Sequence, residues 1–285
     1  MFRHNQLLTS LLITLTISNF LHSFNPLYTG TNPYESYATM WGNERFDLED
    51  YVKYFPHYKP YVETIAHTGK FDGDFSKLPY PYNQLSEITA FFPGPNYYDN
   101  YEYIAQLFAH NSLVKTVEIG SAYGLSTRHI ASLLPDNGYL YAIDVWEWTS
   151  EGYLHQRYVP FLSNVIHTGL TDKIYPIKAR SDQALLLFKL TRQTFDFIYV
   201  DGAHDTQGVL ADLELYFPML NSTGVMCGDD WLLTSVRTAV VQFAQQHNLT
   251  IYKTCNFWMF KQEGQYQQKE IIGAPEDIWN YQNIK

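Results

Sequence analysis

Short runs of apolar residues alternate with amphipathic stretches along the second half of the chain. Each apolar run is bounded by glycine, proline or acidic residues, which is typical of a buried strand. The stretches between the runs repeat apolar residues every three or four positions, as a helix packed on a sheet does. This alternation predicts an α/β fold with a mostly parallel sheet.

The same pattern predicts the bounds of each element. Strands are expected at 116–120, 139–144, 174–178, 195–201 and 224–228, and a final pair at 249–254 and 257–261. Helices are expected at 98–110, 126–134, 156–168, 182–190, 206–216 and 234–247. We therefore expect a Rossmann-like seven-stranded sheet with helices on both faces and an irregular N-terminal extension.

The two ends of the chain lack this alternation. Residues 25–95 are rich in Tyr, Pro, Asn and Gly and predict an aromatic-rich extension, with short helices near 44–54 and 61–67. The domain with the predicted strands spans 96–261. The tail, 262–285, is polar and rich in Gln, so it either wraps the domain or stays mobile.

Residues 7–21 are mostly apolar and follow a single arginine. This resembles the apolar region of a signal peptide and is short for a membrane span. We expect residues 1–24 to be a signal peptide or an N-terminal anchor, and the alternative is an amphipathic helix packed on the domain. With a signal, the protein is secreted, periplasmic or membrane-anchored, and without one it is cytoplasmic. Membrane association is expected only through this segment, if it is not cleaved.

The stretch from 116 to 127, T-V-E-I-G-S-A-Y-G-L-S-T, predicts a strand, a glycine turn and a helix, and the next strand ends at Asp144. A carboxylate there can take both hydroxyls of a ribose. A dinucleotide fingerprint needs G-x-G-x-x-G, but Ala122 replaces its second glycine. Glu118, two residues before Gly120, would repel a pyrophosphate and suits a ligand with an ammonium group. S-adenosylmethionine (SAM) is such a ligand, and a strand–turn–helix without a ligand is the alternative.

Three of the predicted strands are followed or ended by acids, at Asp144, Asp201 and the pair Asp229 and Asp230. The carboxyl ends of parallel strands meet at one edge of a sheet, so these acids should face one crevice. A buried carboxylate is unfavourable without a partner. The set therefore points to a cation or a hydroxyl-rich ligand, while each acid alone could instead cap the helix that follows.

These residues resemble the class I SAM-dependent methyltransferases, and among them the metal-dependent small-molecule O-methyltransferases of the catechol, caffeoyl-CoA and macrolide-sugar types. The resemblance rests on the motifs at 117–127, 195–204 and 228–231, and covers roughly residues 100–261. It implies SAM and a divalent metal, with Mg²⁺ favoured, as cofactors. It also implies O-methylation of a small hydroxylated acceptor, a sugar or a phenol.

The resemblance assigns cofactor contacts along the first three strands. Gly120 lets the backbone approach the amino-acid part of SAM, and the helix that Ser126 opens offers free N–H groups to its carboxylate. Arg180 stands where the family commonly has an acid, so the expected adenine contacts depart from the usual family pattern. The expected cofactor-binding residues are Glu118, Gly120, Ser121, Ser126, Asp144, Ser181 and Asp182.

The expected metal ligands are Asp201, Asp229 and Asp230, whose oxygens suit Mg²⁺. The ion would hold a diol and acidify the attacking hydroxyl. The expected catalytic residues are Asp201 and His204, because His204 matches the position of the general base in the macrolide-sugar enzymes. Catechol-type relatives use a lysine, and no lysine lies between Asp201 and the end of the fifth strand. The alternative for His204 is a loop histidine that caps the next helix.

Aromatic residues follow the second and fifth strands. They could stack on the adenine or on an acceptor, or pack the neighbouring helix. These residues are Trp146, Trp148, Tyr153, Tyr158 and Trp231.

The formal net charge of −10, from 29 acids and 19 bases, comes without a cluster of Lys or Arg. Binding to nucleic acid through phosphate contacts is therefore not expected, and a neutral or cationic small molecule suits the chain better. The two cysteines, Cys227 and Cys255, form neither a disulfide framework nor a zinc site and are expected to be buried thiols. The sequence leaves the oligomeric state undecided, and a homo-oligomer is one alternative. Two further alternatives are an oxidoreductase or hydroxylase-like enzyme on the same fold, and a non-catalytic SAM-binding module.

Overall fold

The computed structural model describes residues 71–89, 100–150, 153–254, 256–261 and 278–279. The strands are β1 (Lys115–Ile119), β2 (Tyr139–Asp144), β3 (Glu147–Ser150), β4 (Tyr153–Gln156), β5 (Ile174–Lys178), β6 (Phe195–Val200), β7 (Leu220–Gly228), β8 (Thr250–Thr254), β9 (Phe257–Lys261) and β10 (Ile278–Trp279). The helices are α1 (Tyr101–His110), α2 (Leu125–Leu133), α3 (Tyr158–His167), α4 (Ser181–Leu190), α5 (Thr206–Tyr216) and α6 (Thr234–His247).

The main sheet has the strand order β10-β8-β9-β7-β6-β1-β2-β5. In this order, the five strands β5, β2, β1, β6 and β7 pair in parallel. Beyond β7, the strands β9, β8 and β10 pair antiparallel. The predicted Rossmann-like fold is confirmed, with all seven expected strands and the two-residue β10 added at the edge. The chain runs from β1 outwards to β5 and then returns to β6 on the other side of β1, so the switch point lies between β1 and β6.

The central strands are buried on both faces, which explains their almost continuous apolar sequence. One face packs against α4, α5 and α6 through side chains such as Phe188, Leu213 and Val240. The opposite face packs against α1, α2 and α3, where Leu107 and Phe161 are fully buried. Two hydrophobic cores thus hold the sheet as a middle layer.

The described part of the N-terminal extension, residues 71–89, packs on the second of these cores. Tyr82 is fully buried there, and its hydroxyl donates to the carbonyl of Ile174 at 2.9 Å. The backbone N–H of Thr89 donates to the Ser163 hydroxyl at 3.1 Å. The segment contains two single-turn 3₁₀ helices, Phe75–Lys77 and Tyr82–Gln84.

The predicted bounds of β2, β5, α5 and α6 match the structure residue for residue. The segment before α3 differs, because β3 and β4 form an antiparallel hairpin where the sequence predicted the start of a helix near 156. Trp146 takes a left-handed φ of +48°, which turns the chain out of β2 and into this hairpin.

β7 begins at Leu220, before the predicted start at 224, because a register shift lets Leu220 pair with Phe195. Several predictions lie outside the described residues: the segment at 1–24, the helices near 44–54 and 61–67, and Cys255. Cys227 is buried in β7 as expected. Within the described ranges, no helix has the length and apolar character needed to cross a membrane.

Replacement of Gly120 by alanine tests the contact between the ends of β1 and β6. Gly120 has a φ of +90°, and an added Cβ would lie 1.9 Å from the backbone oxygen of Asp201. We expect Gly120→Ala to lower the free energy of unfolding by at least about 3 kcal/mol, since neither backbone can give way. Urea denaturation measures this change.

Gly202→Ala is the matched control, because its added Cβ would approach the nearest heavy atom, Ile119 Cγ2, at 3.2 Å. We expect a smaller loss for this variant. Equal losses in the two variants would show that the close approach at Gly120 does not constrain the fold.

Candidate functional site

The acids expected from the sequence lie at the carboxyl ends of neighbouring parallel strands. Backbone hydrogen bonds continue past the strand ends and hold these loops. The N–H of Gly120 donates to Ile143 at 2.8 Å, and the N–H of Asp201 donates to Ile119 at 2.8 Å. The N–H of Asp229 donates to Val200 at 3.2 Å. The loops after β1, β6 and β7 are therefore fixed relative to one another at the switch point.

Glu118 lies fully buried beneath the glycine loop. Its carboxylate accepts from the hydroxyls of Ser121 at 2.6 Å and Ser126 at 2.5 Å, and from the hydroxyl of Thr127. Burial raises the pKa of Glu118 to about 7, against the opposing effect of these hydrogen bonds. The two serines expected to bind the cofactor thus also hold this acid, and their contact with SAM stays a prediction.

Asp144 clamps the same loop from the end of β2. Its Oδ2 accepts from the N–H of Ala122 at 2.8 Å, and its Oδ1 accepts from the N–H of Trp146 at 2.6 Å. Burial raises the pKa of Asp144, and the two backbone hydrogen bonds oppose this shift. Each oxygen keeps a lone pair that a ribose hydroxyl could use, so the expected ribose contact is compatible with this geometry.

Ser181 and Asp182 begin α4, next to the end of β2, because the N–H of Ala179 donates to the carbonyl of Asp144 at 3.0 Å. Asp182 is exposed and forms an ion pair with Arg180, with Nε to Oδ1 at 3.0 Å. A hydrogen bond from Arg180 lowers the pKa of Asp182. The arginine that departs from the family pattern thus pairs with the acid beside it, and the adenine contact stays a prediction.

Asp201, His204 and Asp230 form a cluster in which one ligand atom of each residue lies within 4.8 Å of the others. His204 Nε2 lies 2.9 Å from Asp230 Oδ2. Of the expected metal ligands, Asp201 and Asp230 belong to this cluster. The cluster does not include Asp229, whose Oδ1 accepts from the N–H of Asp230 at 2.7 Å. The third member of the cluster is His204, which the sequence predicted as a base.

The charges in this cluster act on one another. Burial, with the charges of Asp229 and Asp230, raises the pKa of Asp201 well above its usual range. The hydrogen bond between His204 and Asp230 raises the pKa of the imidazole and lowers that of the carboxyl. The cluster is therefore a concentration of negative charge next to an imidazole whose side chain is 59% exposed.

The structure buries two of the aromatic residues that the sequence left open. Trp146 is 1% exposed and packs against Tyr158 and Phe161 at centroid distances of 4.9 and 4.6 Å. Trp231 is 3% exposed and belongs to the core rather than to the surface of the site. The side chains of Trp148 and Tyr153 lie outside the described residues.

Residues 117–231 match the model of a family described as a methyltransferase domain. The motifs and the acid-lined switch point described above fall within this range or at its border. The chain carries a SAM-dependent methyltransferase domain. No curated protein matches the sequence significantly.

Solved methyltransferase structures resemble this chain at low identity. The O-methyltransferase of Bacillus cereus in complex with SAH is 16% identical, with a TM-score of 0.49, over 70% of this chain and 89% of that one. The O-methyltransferase TomG of Streptomyces achromogenes, involved in tomaymycin synthesis and solved with SAM, is 15% identical, with a TM-score of 0.47, over 72% of this chain and 96% of that one.

Two residues of the candidate site were not predicted from the sequence. Thr127 holds Glu118 with Ser126, and its place in the glycine motif was a usable signal. Asn256 contacts Asp230 from the turn between β8 and β9. It follows Asp230 after another helix and strand, so spacing along the chain could not indicate it.

The buried Glu118 predicts a pH dependence of stability. Burial raises the pKa of Glu118 to about 7, so the protonated side chain stabilises the folded state fully below the ordinary carboxyl pKa. This stabilisation is lost as the pH rises through about 7. We expect Glu118→Gln to flatten the fall in unfolding free energy between about pH 4.5 and 7, by up to about 3 kcal/mol. Urea unfolding at several pH values measures this slope. Identical slopes in the two proteins would contradict a proton held at Glu118.

Asp144→Asn tests the cofactor site. The amide keeps the size of the side chain, but its NH₂ group faces one of the two backbone N–H donors and weakens any ribose contact. We expect SAM affinity to fall at least about tenfold, as loss of a charged hydrogen bond does. Titration calorimetry measures the affinity. Asp136→Asn, an exposed position in the turn at the opposite end of β2, is the matched control and should bind SAM like the wild type.

Proposed function

We propose that this methyltransferase transfers the methyl group of SAM to a hydroxyl of a small acceptor, with the help of a divalent metal, Mg²⁺ being favoured. The observation that carries the proposal is the cluster of Asp201, His204 and Asp230. It lies at the switch point, next to the glycine loop to which the cofactor is assigned. The acceptor is therefore expected to meet the methyl group at this edge of the sheet.

The donor set is compatible with a divalent ion. Carboxylate oxygens of Asp201 and Asp230 are the hard ligands that Mg²⁺ prefers. The mutual repulsion of the acids around Asp201 would be relieved by a cation. A bound divalent ion would hold the acceptor oxygen and lower the pKa of its hydroxyl. Asp229, the third ligand expected from the sequence, accepts the N–H of Asp230 at Oδ1 and lies outside the cluster.

His204 is the candidate base. Its imidazole is the most exposed member of the cluster, so an acceptor in solution can reach it. Asp230 orients the ring through the 2.9 Å contact with Nε2, which leaves Nδ1 to take a proton. The acceptor oxygen bonds to the methyl carbon as the carbon–sulfur bond breaks, and the hydroxyl proton passes to His204.

The acceptor class follows from charge and surface. The net charge of −10 disfavours polyanions such as nucleic acids and suits a neutral or cationic molecule. Leu232 and Leu233, directly after the cluster residue Asp230 and the buried Trp231, are 67% and 43% exposed. They offer apolar contact to a ring beside the hydroxyl, so a phenol or a sugar diol is the proposed acceptor.

Removal of the metal tests the first part of this proposal. We expect EDTA to abolish the formation of S-adenosylhomocysteine from SAM and a catechol or sugar-diol acceptor, while SAM affinity in calorimetry is unchanged. Added Mg²⁺ should restore turnover. Turnover that persists in EDTA would remove the metal from the mechanism. SAM binding without turnover on any hydroxylated acceptor would favour a non-catalytic module instead.

His204→Gln tests the base. We expect kcat to fall by about 10²–10⁴-fold with unchanged SAM affinity, since proton removal is lost and the cofactor loop is untouched. His247→Gln is the matched control, because His247 also contacts a carboxylate, Glu214, at 3.5 Å, but lies at the far end of α6. Equal activity of the two variants would exclude His204 as the base.

A further inference from the structure

The turn between β8 and β9 reaches the loop that follows β7. Asn256, in this turn, makes three contacts with that loop. Its backbone carbonyl accepts from the N–H of Trp231 at 2.9 Å, and its Oδ1 accepts from the N–H of Leu232 at 3.1 Å. Its Nδ2 donates to Asp230 Oδ1 at 3.4 Å. A residue remote in sequence thus touches both the backbone and the carboxylate of the candidate site.

The carboxylate of Asp230 lies between two partners. Oδ1 faces the Asn256 amide, and Oδ2 faces His204 Nε2. The 3.4 Å contact is long for a hydrogen bond, but its acceptor is ionised, which strengthens such contacts. A carboxylate held at both oxygens cannot rotate freely about its last torsion, so the two contacts together fix its plane.

Other contacts fix the backbone of the loop. Trp258 Nε1 donates to the carbonyl of Asp229 at 2.7 Å, and the N–H of Leu233 donates to the carbonyl of Asp230 at 2.9 Å. Asp230 itself has a left-handed φ of +63°, which non-glycine residues adopt when their surroundings hold them there. The backbone of the loop is thus anchored by contacts other than the Asn256 amide. The amide in addition sets the direction of the Asp230 side chain.

We propose that Asn256 is a positioning residue that aims the carboxylate of Asp230 at His204 and at the metal. This inference rests on the proposed function, because it needs a metal site to position. Partners that orient metal ligands typically change metal affinity or activity about 10–100-fold when they are replaced. Asn256 would act in that way from an element outside the parallel part of the sheet.

The rival explanation is that Asn256 only anchors the loop through Leu232. Two variants of the full chain separate the roles. Asn256→Ala removes both side-chain contacts. Asn256→Asp keeps an oxygen for the N–H of Leu232, but it replaces the amide donor by a carboxylate facing Asp230. The added negative charge by itself would attract a cation, so a loss of metal affinity in this variant reports on geometry.

The probe is Mn²⁺, titrated in the presence of SAM and followed by electron paramagnetic resonance. We expect both variants to bind Mn²⁺ at least about tenfold more weakly than the wild type. SAM affinity should stay within about twofold, and stability should fall by about 1 kcal/mol or less, since the loop keeps its other anchors. Asn137→Ala and Asn137→Asp, in an exposed turn at the opposite end of the sheet, are the matched controls.

Each result decides between the roles. Metal affinity that falls in Asn256→Ala but is kept in Asn256→Asp would show a loop anchor and overturn the inference. Unchanged affinity in both variants would overturn it as well, while the metal site itself would stand. A wild-type protein that binds SAM but no Mn²⁺ would overturn the metal-assisted function and, with it, the role of Asn256.

Discussion

The close approach of the backbones at the ends of β1 and β6 is the constraint on which the site depends. Gly120 passes the backbone oxygen of Asp201 at a distance that leaves no room for a Cβ, and Asp201 donates its N–H to Ile119. One backbone contact therefore sets the separation between the cofactor loop and the candidate catalytic acid. A methyl transfer depends on that separation, because the reacting atoms must meet within about 3–3.5 Å.

Negative charge concentrated at one edge is the second property of the site. Glu118, Asp144, Asp229 and Asp230 all raise the pKa of Asp201, in addition to its burial. Backbone N–H groups hold Asp144 and Asp229, and three hydroxyls hold Glu118. An arrangement of this kind favours positively charged ligands, and SAM, with its sulfonium and ammonium groups, has the required charge.

The fold followed from the sequence because most of its elements show the apolar periodicity of a buried strand or of a helix packed on a sheet. The hairpin at 147–156 did not, since it depends on the turn at Trp146, whose indole packs on Tyr158 and donates to the carbonyl of Ala122. The same limit applied to the site. The sequence predicted the acids from their positions at strand ends. That His204, rather than Asp229, lies in the cluster depends on side-chain directions within a tight loop.

The amino-acid sequence by itself determined the α/β architecture, the glycine loop and the edge at which the acids gather, because strand ends and turns are local properties of the chain. Only the tertiary structure decided how these groups are paired. Glu118 meets three hydroxyls of the next helix and its turn, and Asp230 meets His204 and Asn256 from two other elements. The pairings of Glu118 are local but need the turn into α2, whereas those of Asp230 join segments about 26 residues apart and form only once the ends of β6, β7 and the β8–β9 turn have come together.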